Sequence, residues 1–488
     1  MVIFGDDEMA TREVDVAIIG AGTAGLAAYN AARKHTDNLV LIEGSHYGTT
    51  CARVGCMPSK LLIAAAESAH DAANTGLFGI QVGKIVVNGE KVLERVRKER
   101  NKFVESVLAT VDAIPSAHKL VGRARFISPG KLAIGEEIEI KADRIVIATG
   151  SSPTIPDMFQ GLGKRLLVND SLFELPYLPA SVAVFGTGIV GLELGQALSR
   201  LGVRVRMFGR SGSLGGLADQ AIRDYAEQCF NEEFYLDTRS EVTDVSSVED
   251  GVSISFVHRD KGALTELFDY ILVATGRSPN LKELALHNSG LVLDDNGVPL
   301  NESSTLQCGN SPVFLVGDAN QQAPVLHEAA HEGRIAGDNA GRYPNVIPAE
   351  RKVPFSVVFC NPQITSVGLS IGRMPAAERE NYVVGKSSFE DQGRSKVLGK
   401  NRGILKVYAE RNSGVFVGAE MFGPAAEHIG HLLAWAAQQR MTISTMLAMP
   451  FYHPVIEEGV RTALRDLYGK MIKADTDVDP CLECGPGT

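Results

Sequence analysis

A chain of 488 residues with 44% hydrophobic content is too long for one core and is expected to divide into about three domains. Its formal net charge of −10 leaves no basic footprint, so nucleic acid and anionic membrane are poor partners and a small soluble partner fits better. The opening MVIFGDDEMATREVD is acidic and lacks a basic segment followed by an apolar run, and no later stretch reaches about 18 uninterrupted apolar residues. The expectation is a cytoplasmic protein that crosses no membrane. In that compartment a cysteine pair is more often catalytic or metal-binding than a structural disulfide.

The segment EVDVAIIGAGTAGLAAYNAARK runs from an apolar strand over 14–19 through Gly20, Gly22 and Gly25 into an Ala-rich helix. This is GxGxxG in strand-turn-helix context: the glycines permit a tight turn and close approach of a pyrophosphate, which then sits on the helix N-terminus. A second strand, NLVLIE, ends at Glu43, close to the roughly 20-residue distance expected of an acid that binds a ribose hydroxyl.

TTCARVGCMPSK then holds two of the seven cysteines, Cys51 and Cys56. Cys56 lies just before Pro58 at the entry of a predicted helix, where the helix dipole and nearby Lys60 both favour thiolate. With four residues between them, the two sulfurs can be closed by a short loop into a strained, reducible bridge. On these residues alone, a redox dithiol, half of a metal site and two inert buried thiols all stay open. Zinc would need two more nearby ligands, and none is evident.

The nucleotide pattern recurs in ASVAVFGTGIVGLELGQALSRLGVRVRMFGR, with Gly186, Gly188 and Gly191 between strand and helix. RIVIATGSSP, with Gly150, is likewise echoed by YILVATGRSP, with Gly276. Gly186 follows Gly20 by 166 residues whereas Gly276 follows Gly150 by 126, so the first copy carries about 40 extra residues, which include the Cys pair. Two dinucleotide folds imply two dinucleotides, most simply a bound flavin and a nicotinamide. Beyond Asn280 the chain reads as a return to the first domain through the strand SPVFLVGDAN, expected to end on Asp318, where ligands of open α/β sheets bind. From about Pro354 alternating strand patterns and two helical stretches, around 425–440 and 455–470, mark a separate α+β domain. In MPFYHPVIEEGVRTALRDL, His453 precedes a proline and Glu458 follows five residues on, a pair suited to taking and returning a thiol proton near pH 7.

TTCARVGCMPSK with two GxGxxG units, two ATG segments, VFLVGDA and HPxxxE resembles the flavin-dependent pyridine nucleotide-disulfide oxidoreductases, over roughly residues 12–472. The wording of the motifs is nearest the dihydrolipoamide dehydrogenase branch. The resemblance implies an α/β fold of two Rossmann-like FAD- and NAD(P)-binding domains plus a C-terminal α+β dimerisation domain. The expected boundaries are 12–152 with 281–350 for FAD, 153–280 for NAD(P), 351–472 for dimerisation, and a flexible tail over 473–488. It further implies that Cys56 is the sulfur beside the flavin, forming a charge-transfer thiolate, and that Cys51 is the interchange thiol. Lys60 should lie by the flavin N5 and pair with Glu193; Asp318 should hold the ribityl chain and Glu43 the adenosine ribose. The His453–Glu458 pair should reach the disulfide of a second subunit, so an obligate homodimer is implied. Mercuric reductases typically lack the dyad His and soluble transhydrogenases the Cys pair; this chain has both.

The expected function is therefore FAD-dependent dithiol-disulfide exchange with NAD(P)H, on a small-molecule or lipoyl-domain disulfide. The alternatives are an NADPH-dependent reductase of another disulfide or of a metal ion, or a flavoprotein subunit of a larger complex. After VRVRMF, where an acid would favour NAD, stand Gly209 and Arg210; the arginine favours NADPH over NADH, although the second arginine of glutathione reductases is Gly216 here. Arg53, where the family has Asn, is expected to stand beside the interchange thiol and alter substrate choice. HEAAH, residues 327–331, matches the HExxH of zinc proteases but follows the flavin-contacting GDAN segment, and no metal site is expected. His428 and His431 read as solvent-facing or core-edge, and Cys229, Cys308 and Cys360 as buried thiols. Cys481 and Cys484, in the terminal CLEC, read either as an exposed end or as a second redox pair.

Overall fold

The computed structural model describes residues 10–472, which form two compact units. The first takes residues 10–58, 96–154 and 276–351; the second takes 59–95, 155–275 and 352–472. Cys481 and Cys484 lie outside the described residues.

The first unit is built on a seven-stranded sheet. Its order is Lys119–Val121, Leu39–Glu43, Ala10–Ile19, Ile138–Ile147, Lys131–Ile134, Ala124–Ser128, with Val313–Leu315 also pairing Ile138–Ile147. The strands from 119–121 to 138–147, and 313–315, run parallel; the two outer ones are antiparallel. Side chains alternate across it with period two: Val16, Ile18, Leu41 and Phe314 pack with Ala28, Tyr29 and Ala336, while Ala17, Ile19, Ile42 and Leu315 pack with Phe126 and Leu132. Because both faces are covered, strands such as NLVLIE are apolar almost throughout. Each fully buried Ile or Phe contributes roughly 1.5–3 kcal/mol.

In the second unit a five-stranded parallel sheet runs Tyr235–Asp237, Arg204–Phe208, Ser181–Phe185, Tyr270–Val273, Leu166–Leu167. An antiparallel ribbon of Glu241–Val248, Gly251–His258 and Gly262–Phe268 joins it through Phe185, Phe208 and Phe256, whose ring centroids lie 5.2 and 5.0 Å apart in sequence. The C-terminal part is a five-stranded antiparallel sheet, Phe355–Val358, Gln363–Gly368, Phe416–Gly423, Ile404–Glu410, Tyr382–Ser388, carrying helices Ala426–Gln438 and Glu458–Ile472 on a core that includes Val407, Met421, Leu433 and Leu464.

The segments read from the sequence as a second and a third domain lie within this one compact unit, and specific polar contacts join them. Gln196 and Asn361 exchange hydrogen bonds of 2.8 and 2.8 Å, Arg200 donates to Asn361 O at 3.0 Å, and Lys406 holds both carboxylate oxygens of Asp219 at 2.7 Å.

Candidate active site

The first cradle follows from steric exclusion. Gly20 takes φ +104°, and a Cβ there would stand 2.3 Å from Ala148 O; one on Gly25 would stand 1.8 Å from Gly20 O. Only glycine lets the strand turn into helix Thr23–Ala32 at this proximity. Gly22, the residue before that helix, meets nothing within 4 Å, leaving the helix N-terminus open to an anion. Glu43 Oε2 accepts from Ala21 N at 2.9 Å and its Oε1 from Ser45 N at 3.0 Å, which holds the carboxylate on the rim of this loop.

The second cradle repeats the first. Gly186 takes φ +113°, with Ala274 O 2.2 Å from its added Cβ, Gly191 would meet Gly186 O at 1.9 Å, and Gly188 is open. The rim differs. Strand Arg204–Phe208 is followed by Gly209, where a Cβ would stand 2.7 Å from Thr238 O, so no acid fits there; Arg210 comes next and is exposed.

The two ATG echoes meet each other. Ser151–Pro153 and Arg277–Pro279 pair antiparallel, and Asn280 N to Gly150 O and Thr154 N to Gly276 O, both 2.9 Å, close the ribbon. Gly276 thus stands with Gly150 in the first unit. Ser151 Oγ donates to Asp318 Oδ2 at 2.8 Å and accepts from Arg277 Nε at 2.8 Å. The strand before Asp318 stops at Leu315, earlier than the sequence suggests. Gly317 turns with φ +66°, and its N–H is taken by buried Glu332 at 2.7 Å, which also accepts from Asn320 at 2.8 Å and pairs with Arg351 at 2.6 Å. Glu328 of HEAAH is buried and pairs with Arg351 at 3.0 Å. Through Arg351, Glu328 of that motif is tied to Glu332, which braces the Asp318 turn.

In the dithiol segment Thr49 takes φ +46°, and its hydroxyl accepts from Ala52 N at 3.3 Å, capping the short helix Thr50–Arg53. Half-buried Cys51 lies in that helix; exposed Cys56 is the first residue of helix Cys56–Ala73. Arg53 is held by the backbone of the preceding loop. Its Nε donates to Tyr47 O at 2.8 Å and its Nη2 to the same oxygen, bracing the loop from behind. Further along the helix, Lys60 Nζ lies 2.9 and 2.7 Å from the two oxygens of Glu193, a buried residue that also accepts from Phe359 N at 3.0 Å. The ammonium stands 4.6 Å over the Phe359 ring.

His453 Nδ1 is 2.9 Å from Glu458 Oε1, and Glu458 Oε2 accepts from Val455 N at 3.2 Å. Glu458 is buried at the start of its helix while the His453 side chain is 63% exposed. With Nδ1 donating to the carboxylate, Nε2 is left to accept a proton. The isolated cysteines are buried; burial pushes the Cys308 thiol up to about 12 and raises those of Cys229 and Cys360.

Residues 14–333 match the family described as pyridine nucleotide-disulphide oxidoreductase, and 354–464 match its dimerisation domain. The chain belongs to the pyridine nucleotide-disulphide oxidoreductases. Among its relatives in this family, dihydrolipoyl dehydrogenase 3 of Pseudomonas aeruginosa is 32% identical over 487 residues, spanning 94% of this chain and 99% of that protein. A dihydrolipoyl dehydrogenase of Bacillus subtilis is 27% identical over 482 residues, spanning 95% and 100%. The fold is shared with LpdA from Mycobacterium tuberculosis, at TM-score 0.79 and 24% identity over 93% of this chain and 99% of that one. The HOCl-induced flavoprotein disulfide reductase RclA from Escherichia coli aligns at TM-score 0.77 and 21% identity, over 93% and 99%.

Members of this family bind FAD and a pyridine nucleotide, and the residues here fit both groups. Each cradle has an open glycine at a helix N-terminus, and Thr149 Oγ1, beside Gly150, is buried with no hydrogen-bond partner, a donor that a bound group would satisfy. The chain is an FAD-dependent disulfide oxidoreductase, dihydrolipoyl dehydrogenase-like in sequence. Among the described residues no helix is long and apolar enough to cross a membrane. Sequence reading does not mark Ser151, Arg277, Glu332 or Arg351 as functional. The ATGSSP–ATGRSP echo was the signal for the first two, and none marked Glu332 or Arg351.

Proposed function

We propose that the chain moves two electrons between a nicotinamide nucleotide and a lipoyl-type disulfide through Cys51 and Cys56. The observation that carries this reading is the placement of Cys56 at the first position of the helix whose Lys60 is pinned to Glu193. When bound, FAD supplies a two-electron carrier between dithiol and nicotinamide. In the oxidative direction His453 Nε2 takes a proton from one thiol of the substrate dithiol, and the resulting thiolate attacks Cys51 of a Cys51–Cys56 disulfide. The S–S bond breaks, and Cys56 leaves as a thiolate favoured by the positive end of its helix. His453 passes its proton to the departing Cys51 sulfur and takes up that of the second substrate thiol, whose sulfur closes the substrate disulfide; Cys51 ends as a thiol, Cys56 as a thiolate and His453 protonated. Reduction of a substrate disulfide is the same sequence reversed. Glu458 holds His453 in the tautomer this requires. A homodimer, with the His453–Glu458 pair serving the second copy, agrees with the family's dimerisation domain.

Gly209 and Arg210 favour NADPH as the nicotinamide, since an acid that would bind free ribose hydroxyls is sterically excluded at 209. The same feature supports a second reading, an NADPH-dependent reductase of a disulfide other than lipoamide. The test is turnover of lipoamide and dihydrolipoamide by FAD-loaded protein, with NAD(H) and NADP(H) side by side and Cys51→Ser as control. Rapid turnover lost in Cys51→Ser supports lipoyl chemistry. Flavin reduction by a nicotinamide without lipoamide reaction moves the assignment to the second reading.

A further inference from the structure

After strand Arg204–Phe208, Arg210 is the one cation in residues 209–216. The structure brings another one to the same loop from a different element. Residues 209–212 are zipped onto 237–240: Gly209 N donates to Asp237 O at 2.7 Å, Ser240 N to Gly209 O at 2.9 Å, and Gly212 N to Thr238 O at 2.8 Å. Arg239 lies within that second segment. Its own N–H donates to Asp237 Oδ1 at 2.9 Å, which turns the carboxylate onto backbone, and its guanidinium lies against Gly212, where an added Cβ would stand 2.5 Å from Nε and 3.0 Å from Nη2. Gly212, at φ +75°, provides the space the guanidinium occupies.

Neighbouring arginines are engaged. Arg206 pairs with Glu266 at 3.1 Å, Arg259 with Glu227 at 2.6 Å, and Arg373 donates to Gly216 O at 2.9 Å. Arg210 and Arg239 are exposed, and among the described residues neither guanidinium has a carboxylate partner. Two unpaired cations thus share one glycine turn at the rim of the second cradle, where Gly209 excludes an acid.

We propose that Arg239 is the second cation for a ribose 2′-phosphate, acting with Arg210 across the 209–212 turn. This rests on the reading that the second cradle takes NADPH. A phosphate reached by two guanidinium groups gains charge-assisted hydrogen bonds from both sides, so each arginine governs discrimination between phosphorylated and free ribose.

The experiment is calorimetric titration of the FAD-loaded holoenzyme with adenosine 2′,5′-bisphosphate and with adenosine 5′-monophosphate, probes that undergo no turnover. The wild type is expected to prefer the bisphosphate. Arg239→Ala should cut that preference by about tenfold, a change that corresponds to one charge-assisted contact, and leave the monophosphate affinity within about twofold. Arg239→Lys should retain part of it, and Arg373→Ala should leave it unchanged. A wild type without preference overturns the NADPH reading itself. A wild-type preference that Arg210→Ala removes and Arg239→Ala leaves intact overturns the role of Arg239 alone. Equal weakening of both probes in Arg239→Ala also overturns it, by showing a role in shaping the loop.

Discussion

Lys60 Nζ stands 2.7 Å from Glu193 Oε2, joining the helix that starts at Cys56 to the helix that follows the second glycine turn. Glu193 is 4% exposed, and its carboxylate oxygens are met by this ammonium and by the Phe359 N–H. Removing one partner of such a pair leaves the other buried without compensation.

Lys60→Met is therefore expected to destabilise the holoenzyme by about 2 kcal/mol, below the usual 3–5 for a fully buried pair because the lysine side chain keeps 31% exposure. Urea unfolding of wild type, Lys60→Met, Glu193→Leu and the double variant measures this as a cycle. Strict additivity would show that the two side chains are not coupled.

Replacing His453 by Gln should lower disulfide turnover by about 10²- to 10⁴-fold, the usual contribution of a positioned acid-base group. The rate of flavin reduction by the nicotinamide should be unchanged, because His453 is assigned to the thiol step alone. Glu458→Gln should cost less, about tenfold, since Nε2 remains but its tautomer is no longer held. Stopped-flow traces separate the two half-reactions, and slowing of both would refute the assignment.

Thiol labelling gives a test of pH dependence. Burial raises the thiols of Cys229, Cys308 and Cys360, so at pH 8 all three stay protonated and unreactive; for Cys308, raised to about 12, the thiolate is absent until well above that pH. Alkylation of the reduced native enzyme at pH 8, read by peptide mass spectrometry, should mark Cys51, the proposed interchange thiol, ahead of the three buried cysteines. Labelling of Cys360 ahead of Cys51 would contradict the placement of both.

Glu332 supports the Asp318 turn from behind, accepting from Gly317 N and Asn320 while pairing with Arg351. Glu332→Ala leaves the Gly317 and Asn320 donors buried without a partner and takes one of two carboxylates from Arg351, and should cost about 3 kcal/mol. The flavin-to-protein absorbance ratio after gel filtration should fall accordingly. A variant that melts lower yet keeps full flavin would restrict Glu332 to stability.

Much of the architecture is written locally. Gly20 and Gly25, and again Gly186 and Gly191, stand between apolar strands and helices because the turn tolerates no Cβ there, while Gly22 and Gly188 leave the helix N-terminus open, and that pattern acts over six residues. The position of Cys56 at a helix start is equally local, set by Pro58 and the helical run after it. Lys60 and Glu193 lie 133 residues apart, and their pairing was expected only through family resemblance.

Arg53 and Arg239 show the opposite case. Arg53 is two residues from Cys51, yet its guanidinium donates to Tyr47 O in the preceding loop. Arg239 carries no motif, and hydrogen bonds between two loops set it against Gly212. The two glycine cradles and the His453–Glu458 pair are legible in the residues alone, since each depends on spacing within one segment. Which cations remain unpaired and which carboxylates serve as braces is legible only in the fold, because those outcomes depend on what distant segments bring within hydrogen-bond reach.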